Sequence, residues 1–136
     1  MDRAILDTDT FSEVLKAKNQ NVLSRAQAYR QQFGSYTVST ITITEIVKGF
    51  QKRGREDRIL SFVTNLATME VLSLDRDAAI IVGRIYGELE KSGQTIGRAD
   101  PLIAGIAISH NLPLVTGNTK HFERIVSLGF TLQLAD

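Results

Sequence analysis

The chain has 136 residues, with 16 Lys and Arg against 15 Asp and Glu, a net charge of +1, and no cysteine. This length predicts one domain over residues 1–136, able to bury a core without a covalent staple. The lack of cysteine excludes disulfides, thiolate zinc sites and cysteine nucleophiles, and the near-zero net charge excludes a molecule that is basic throughout.

Residues 3–6 form a short apolar run that ends at Asp7 and reads as a buried strand. Residues 10–33 read as two helices, with Phe11, Val14 and Leu15 on one face and Leu23, Ala26, Tyr29 and Phe33 on another. Gly34 ends that stretch. Residues 36–39 are a strand candidate, after which Thr42 or Thr44 is expected to cap a helix carrying Ile43, Ile46, Val47 and Phe50. Gly54 breaks it, and residues 56–67 resume with Ile59, Phe62, Val63 and Leu66 on one face. Apolar surface on these first helices is enough for core packing and leaves room for a groove. Residues 69–74 read as a strand, and Asp75 or Asp77 as the cap of a long helix through about Ser92 with Ala78, Ile81, Val82, Ile85 and Leu89 inward.

Gly93 and Gly97 bracket a turn, and Pro101 suits the first turn of the next helix, where its missing N–H costs nothing. Residues 102–108 are apolar on nearly every side, so this helix is expected to be buried. A strand at 112–116, a short helix at 119–126 and a strand at 131–134 complete the chain. Strands alternating with helices predict an α/β fold with a mostly parallel sheet covered on both faces. Ligands in such sheets bind beyond the carboxyl ends of the strands.

Oxygen-bearing side chains gather at that edge. Asp7 follows the first strand, with Asp9 two residues later. Glu45 is expected in the first turn of the helix after the second strand, Asp100 heads the buried helix, and Asn118 follows the strand ending at Thr116. Such a cluster suits a hard cation, Mg²⁺ or Mn²⁺, which prefers oxygen ligands and assists displacement at phosphate. Each residue also has a purely structural reading: Asp7 as a turn or cap residue, Asp9 as a loop-shaping residue, Glu45 as an acid favoured by the helix dipole, Asp100 as an N-cap, and Asn118 as half of a Gly-Asn turn. The joint placement carries the argument. Lys48, Lys52, Arg53, Arg55 and Arg58 crowd one short stretch, either as a solvated helix end or as a rim that contacts phosphates. His110 and His121 read as structural or rim residues.

Four segments together resemble a known family. Ile5-Leu6-Asp7-Thr8-Asp9-Thr10 is similar to the opening of PIN-domain ribonucleases of the VapC toxin type. The stretch from Thr40 to Gly49, with Glu45 inside it, resembles their second motif; Ile96 to Ala104, with Asp100, the third; and Val115 to Phe122 the fourth. The resemblance implies a three-layer α/β/α domain with a five-stranded sheet. It implies a metal-dependent endoribonuclease that uses Mg²⁺, or alternatively Mn²⁺, and that cuts RNA by attack of water to leave a 5′-phosphate and a 3′-hydroxyl. It further implies a homodimer and a cognate VapB-like antitoxin. Asp7, Glu45 and Asp100 match the acidic core that holds the metal. Asn118 falls where many members carry Asp, and Gly117 where a polar or basic residue is more usual. Asp9 and Thr116 match positions that shape the surroundings of the ligands.

Two other readings fit parts of the chain. Asp7-Thr8-Asp9 resembles the opening of haloacid dehalogenase-type phosphatases, but Phe11 stands where Thr or Val belongs and no late paired-Asp motif is evident. A degenerate PIN domain that binds RNA or a protein without cleavage is the alternative that Asn118 raises. The N-terminal stretch has acids where a secretory leader needs positive charge, and no apolar run approaches the ~18 residues of a membrane span, so a cytoplasmic location without membrane contact is expected.

Overall fold

The alternation of Ile5 and Leu6 organises the molecule. In a strand, successive side chains point to opposite faces. In the computed structural model, which describes residues 2–94, 96 and 99–135, these two form strand β1 (Ile5–Leu6) and enter two different cores. The other strands are β2 (Thr37–Ser39), β3 (Glu70–Leu72), β4 (Leu114–Val115) and β5 (Leu134–Ala135), and the alternation recurs in β3, where Leu72 faces one core and Val71 the other, and in β4. Leu114 faces one core and Val115 the other.

The strands form one sheet in the order β3-β2-β1-β4-β5, and every pairing is parallel. The expected sheet is thus fully rather than mostly parallel. Short strands suffice because both faces are covered. Helices α5 (Arg76–Lys91), α6 (Asp100–Ser109) and α7 (Thr119–Ser127) pack over one face, through Ala78, Ile85, Ile103, Ile106 and Phe122. Helices α1 (Thr8–Lys16), α3 (Thr40–Lys52) and α4 (Glu56–Asn65) cover the other with Phe11, Ile46 and Phe62. Helix α2 (Gln20–Phe33) joins this second layer, where the Tyr29 hydroxyl donates to the Ala4 carbonyl and accepts from the Ala4 N–H, 3.1 Å in each case.

The helix ends refine the sequence reading. Ser39, not Thr42 or Thr44, caps α3, because the helix begins as soon as β2 ends. Its hydroxyl accepts from Thr42 N at 3.2 Å. The extra turn moves Glu45 out of the first turn and into the second. Asp75 caps α5 by accepting from Ala78 N at 2.9 Å. Gly34 and Gly54 sit at φ +83° and +67°, where a side chain would strain the backbone. The final strand, Leu134–Ala135, shares only Leu134 with the expected 131–134 stretch, because only there does the chain reach β4. Gly97, expected to close a turn, lies outside the described residues, as does Arg98 of the third motif.

Helix α6 is buried as its composition predicts, with Ile103, Ala104, Ile106 and Ala107 all at most 1% exposed. It lies directly against α5, and Gly105 is the point of closest approach. A Cβ built there would stand 2.3 Å from Val82 Cγ2 and 3.2 Å from the Ala78 carbonyl oxygen. Gly105→Ala should therefore destabilise the chain by about 1–3 kcal/mol despite the better helix propensity of Ala. Urea unfolding of the two proteins checks this; equal or greater stability of the Ala variant would mean that the two helices yield.

Candidate active site

The carboxyl end of β1 delivers Asp7 into the interior, where it is 2% exposed. One oxygen caps α1 by accepting from Thr10 N at 2.8 Å, and the other accepts from the Thr116 hydroxyl at 2.5 Å. A buried carboxylate is tolerated only when its lone pairs are bonded, and here they are. Asp7 is thus both a helix cap and a site residue. The pairing of β1 with β4 brings Thr116 to it across 109 positions of sequence.

Thr116 passes the connection on. Its oxygen accepts from Asn118 N at 2.9 Å, and the Asn118 side-chain amide donates to Asp9 Oδ2 at 2.9 Å. Asn118 stands at the N-cap position of α7 without capping it, because its side chain is turned to Asp9. Asp9, in the first turn of α1, is exposed.

A second set of hydroxyls holds Glu45. Thr8 Oγ1 donates to Glu45 Oε1 at 2.5 Å and lies 3.0 Å from Thr42 Oγ1, which in turn accepts from Ser39 Oγ at 3.5 Å. The acid on α3 is therefore fixed to the residue that follows Asp7.

Asp100 occupies the first position of α6 rather than the N-cap. Ala99 is the cap residue, and no side chain caps the helix. Instead the Asp100 carboxylate meets His121 of α7, with Oδ2 2.9 Å from Nδ1. Burial, the largest cause, pushes the Asp100 carboxyl above its ordinary range; the bond and charge of His121 oppose this, and the charges of Asp7 and Asp9 add to it.

The structure thus brings together Asp7, Asp9, Asp100, Thr116 and Asn118, with Glu45 joined through Thr8. Thr8, Thr42 and His121 belong to the same networks, whereas the sequence marked Thr42 only as a cap, His121 only as a structural or rim residue, and Thr8 not at all. The i, i+3 spacing of Asn118 and His121, which places them on one face of α7, was the available signal. His110 lies elsewhere, at the C-cap of α6.

The donor set is oxygen from carboxylate, hydroxyl and amide, which suits a hard divalent cation and no soft one. Among the described residues, no group of three or more His, Asp or Glu side chains is drawn close enough to hold a metal ion. The bonding pattern gives the reason: Asp7 is turned to Thr116, Glu45 to Thr8, Asp9 to Asn118 and Asp100 to His121. The chemistry of the residues fits the cation, and ligation requires rotation of some of these side chains.

Comparison with known proteins gives the family. The family model described as PIN domain matches residues 4–128. The chain is 35% identical over 126 residues to the tRNA(fMet)-specific endonuclease VapC of Salmonella typhimurium, covering 92% of this chain and 93% of that one. It is 33% identical over 129 residues to a VapC ribonuclease of Haemophilus influenzae, covering 94% and 96%. Among solved structures, the DNA-bound VapBC of Salmonella typhimurium superposes with a TM-score of 0.82 at 33% identity, covering 100% of this chain and 98% of that one. A VapBC complex of Rickettsia felis bound to promoter DNA gives 0.81 at 26% identity, covering 97% and 96%. The chain belongs to the PIN-domain family, on its VapC ribonuclease branch.

Proposed function

We propose that this protein is a metal-dependent endoribonuclease, the toxin half of a toxin–antitoxin pair, with Asp7, Glu45 and Asp100 as the residues that hold a divalent cation, Mg²⁺ or Mn²⁺. The observation that carries the reading is the gathering of Asp7, Asp9 and Asp100 at the carboxyl edge of a parallel sheet, with Asp7 buried there. Concentrated negative charge costs stability, and a cation relieves it. A divalent ion bound there would neutralise phosphate charge and lower the pKa of a water. The protein's own residues do the rest. Thr116 fixes the rotamer of Asp7, Thr8 holds Glu45 in reach, and His121 restrains Asp100. Asn118 keeps the family's amide-or-acid position and steadies Asp9, which argues for a complete site rather than a degenerate one.

The solved relatives are VapBC complexes, which supports an antitoxin for this chain. Leu60 and Val63 on α4 are 60% and 51% exposed, apolar surface of the kind that partners cover. No described helix is long and apolar enough to cross a membrane, in keeping with a cytoplasmic toxin. Transfer RNA is the first substrate to try, because the Salmonella relative is named for it.

Purified protein incubated with total RNA and Mg²⁺ or Mn²⁺ should give discrete products. Chelator should abolish them, Asp100→Asn should lower the rate by at least ~10²-fold, and Asn118→Ala should lower it by ~10–100-fold. Full activity of Asp100→Asn would remove Asp100 from the site. Light scattering of the isolated chain should give the mass of a homodimer; a monomer at micromolar concentration would count against that assembly.

Stability offers an independent readout. A carboxyl whose pKa is raised on folding keeps its proton longer in the native state, so stability drops as pH rises through the window above the ordinary carboxylate range. Asp100→Asn should therefore melt higher than the parent at neutral pH, and the gain should fade as pH falls into the carboxylate range. Mg²⁺ should raise the parent's melting temperature, by the equivalent of about 2.7 kcal/mol at a hundred times its Kd, and should not move the variant's. A variant that melts lower at neutral pH would show that the His121 bond outweighs the burial and repulsion.

A further inference from the structure

A cleft of about 450 Å³ runs between α1, α3 and the start of α4 and reaches Glu45. Thr8 and Glu45 line its inner end. Farther out the lining is cationic: Lys16, Lys18, Arg53, Arg55 and Arg58. Gly49, in the middle of α3, makes room, since nothing stands within 4 Å of where its side chain would be.

The cations are not equally free. Arg55 is tied to Asp57 by two bonds of 3.1 and 2.8 Å, and Lys16 lies 3.7 Å from Glu13. Among the described residues, Lys18, Arg53 and Arg58 have no carboxylate partner. The Arg53 guanidinium lies over the Phe50 ring, 5.4 Å from its centroid, which orders it without neutralising it. Glu45 is the one acid among the described lining residues, and it is bonded to Thr8. A chain of net charge +1 therefore concentrates unneutralised positive charge in one channel that reaches Glu45. Lys48 and Lys52, part of the same basic run in sequence, lie outside this channel.

We infer that this cleft is the track for the RNA strand next to the cut site, with Arg53 and Arg58 each neutralising one backbone phosphate. The assignment rests on the reading of the chain as an enzyme of RNA. A phosphodiester held at the acidic cluster must have its neighbouring nucleotides alongside, and this cleft is the adjoining space whose charge attracts them. Arg53 and Arg58 contact phosphate and not base, so they set affinity and path, not sequence preference. The track is a positively charged groove of the kind that follows single strands.

The test reads binding without turnover. A fluorescein-labelled single-stranded RNA of about 12 nucleotides, within the ~4–16-nucleotide sites of single-strand grooves, is titrated in chelator across a salt series. The double variant Arg53→Gln, Arg58→Gln should bind at least ~10-fold more weakly at low salt. Its log–log salt slope should be shallower by about 1.4, two phosphate contacts at ~0.7 each. Arg53→Lys, Arg58→Lys should restore most of both, and Lys48→Gln, Lys52→Gln should change neither. Equal affinity and slope in the arginine variant would overturn the proposal, as would an equal loss in the lysine pair, which would mean diffuse charge. Polyglutamate that binds through the two arginines, with RNA binding indifferent to them, would assign the cleft to an acidic peptide and overturn it as well. Because no cleavage is required, a chain that binds through the arginines but never cuts sinks the nuclease reading alone. A chain that cuts while ignoring them sinks the track alone.

Discussion

Everything at the site depends on how Asp7 is buried. A carboxylate with almost no solvent contact needs its oxygens bonded, and each of its two bonds fixes a different part of the fold. The bond from Thr10 N starts α1 at once after β1, with no intervening loop. The bond from Thr116 ties the end of β4 to the end of β1. Strand register, helix start and the aim of the acid are thus one arrangement, and Asp7 is positioned by elements too short to be stable alone.

The remaining acids are steadied in the same way, by neutral or weakly basic partners rather than by strong cations. Hydroxyls hold Asp7 and Glu45, an amide holds Asp9 and an imidazole holds Asp100. An arginine in any of these places would quench the charge that attracts a metal ion. Contrast the opposite end of the sheet, where Arg3 is paired with Glu70 and Thr37 donates to the same carboxylate at 2.7 Å. That acid is held below its ordinary range by its bonds to Arg3 and Thr37. One end of the sheet pairs its acid with an arginine, and the other holds its acids with hydroxyls, an amide and an imidazole.

Charge is separated again on the scale of the whole surface. The arginines that follow α3 line the same cleft as Glu45 but do not pair with it, and Thr8 bonds one of its oxygens. A basic channel that reaches Glu45 is complementary in charge to a phosphodiester chain.

Local pattern and composition determined much of this in the sequence itself. The apolar run before Asp7, the all-round hydrophobicity of α6 and the order of strands and helices set the sheet, its burial and the edge where the acids meet. The resemblance of four short motifs named the family. Other features depended on contacts between distant residues. The cap of α3 was misplaced because Thr42, Thr44 and Ser39 are equally good capping types, and only the end of β2 decides among them. The pairings of Asp100 with His121 and of Glu45 with Thr8 were illegible because no local periodicity records which helices meet at a sheet edge. The basic run looked uniform in sequence. The fold alone divided it, turning Arg53 and Arg58 toward the cleft with Lys16 and Lys18 and leaving Lys48 and Lys52 outside, because the direction of a side chain is set by the helix that carries it and by what that helix packs against.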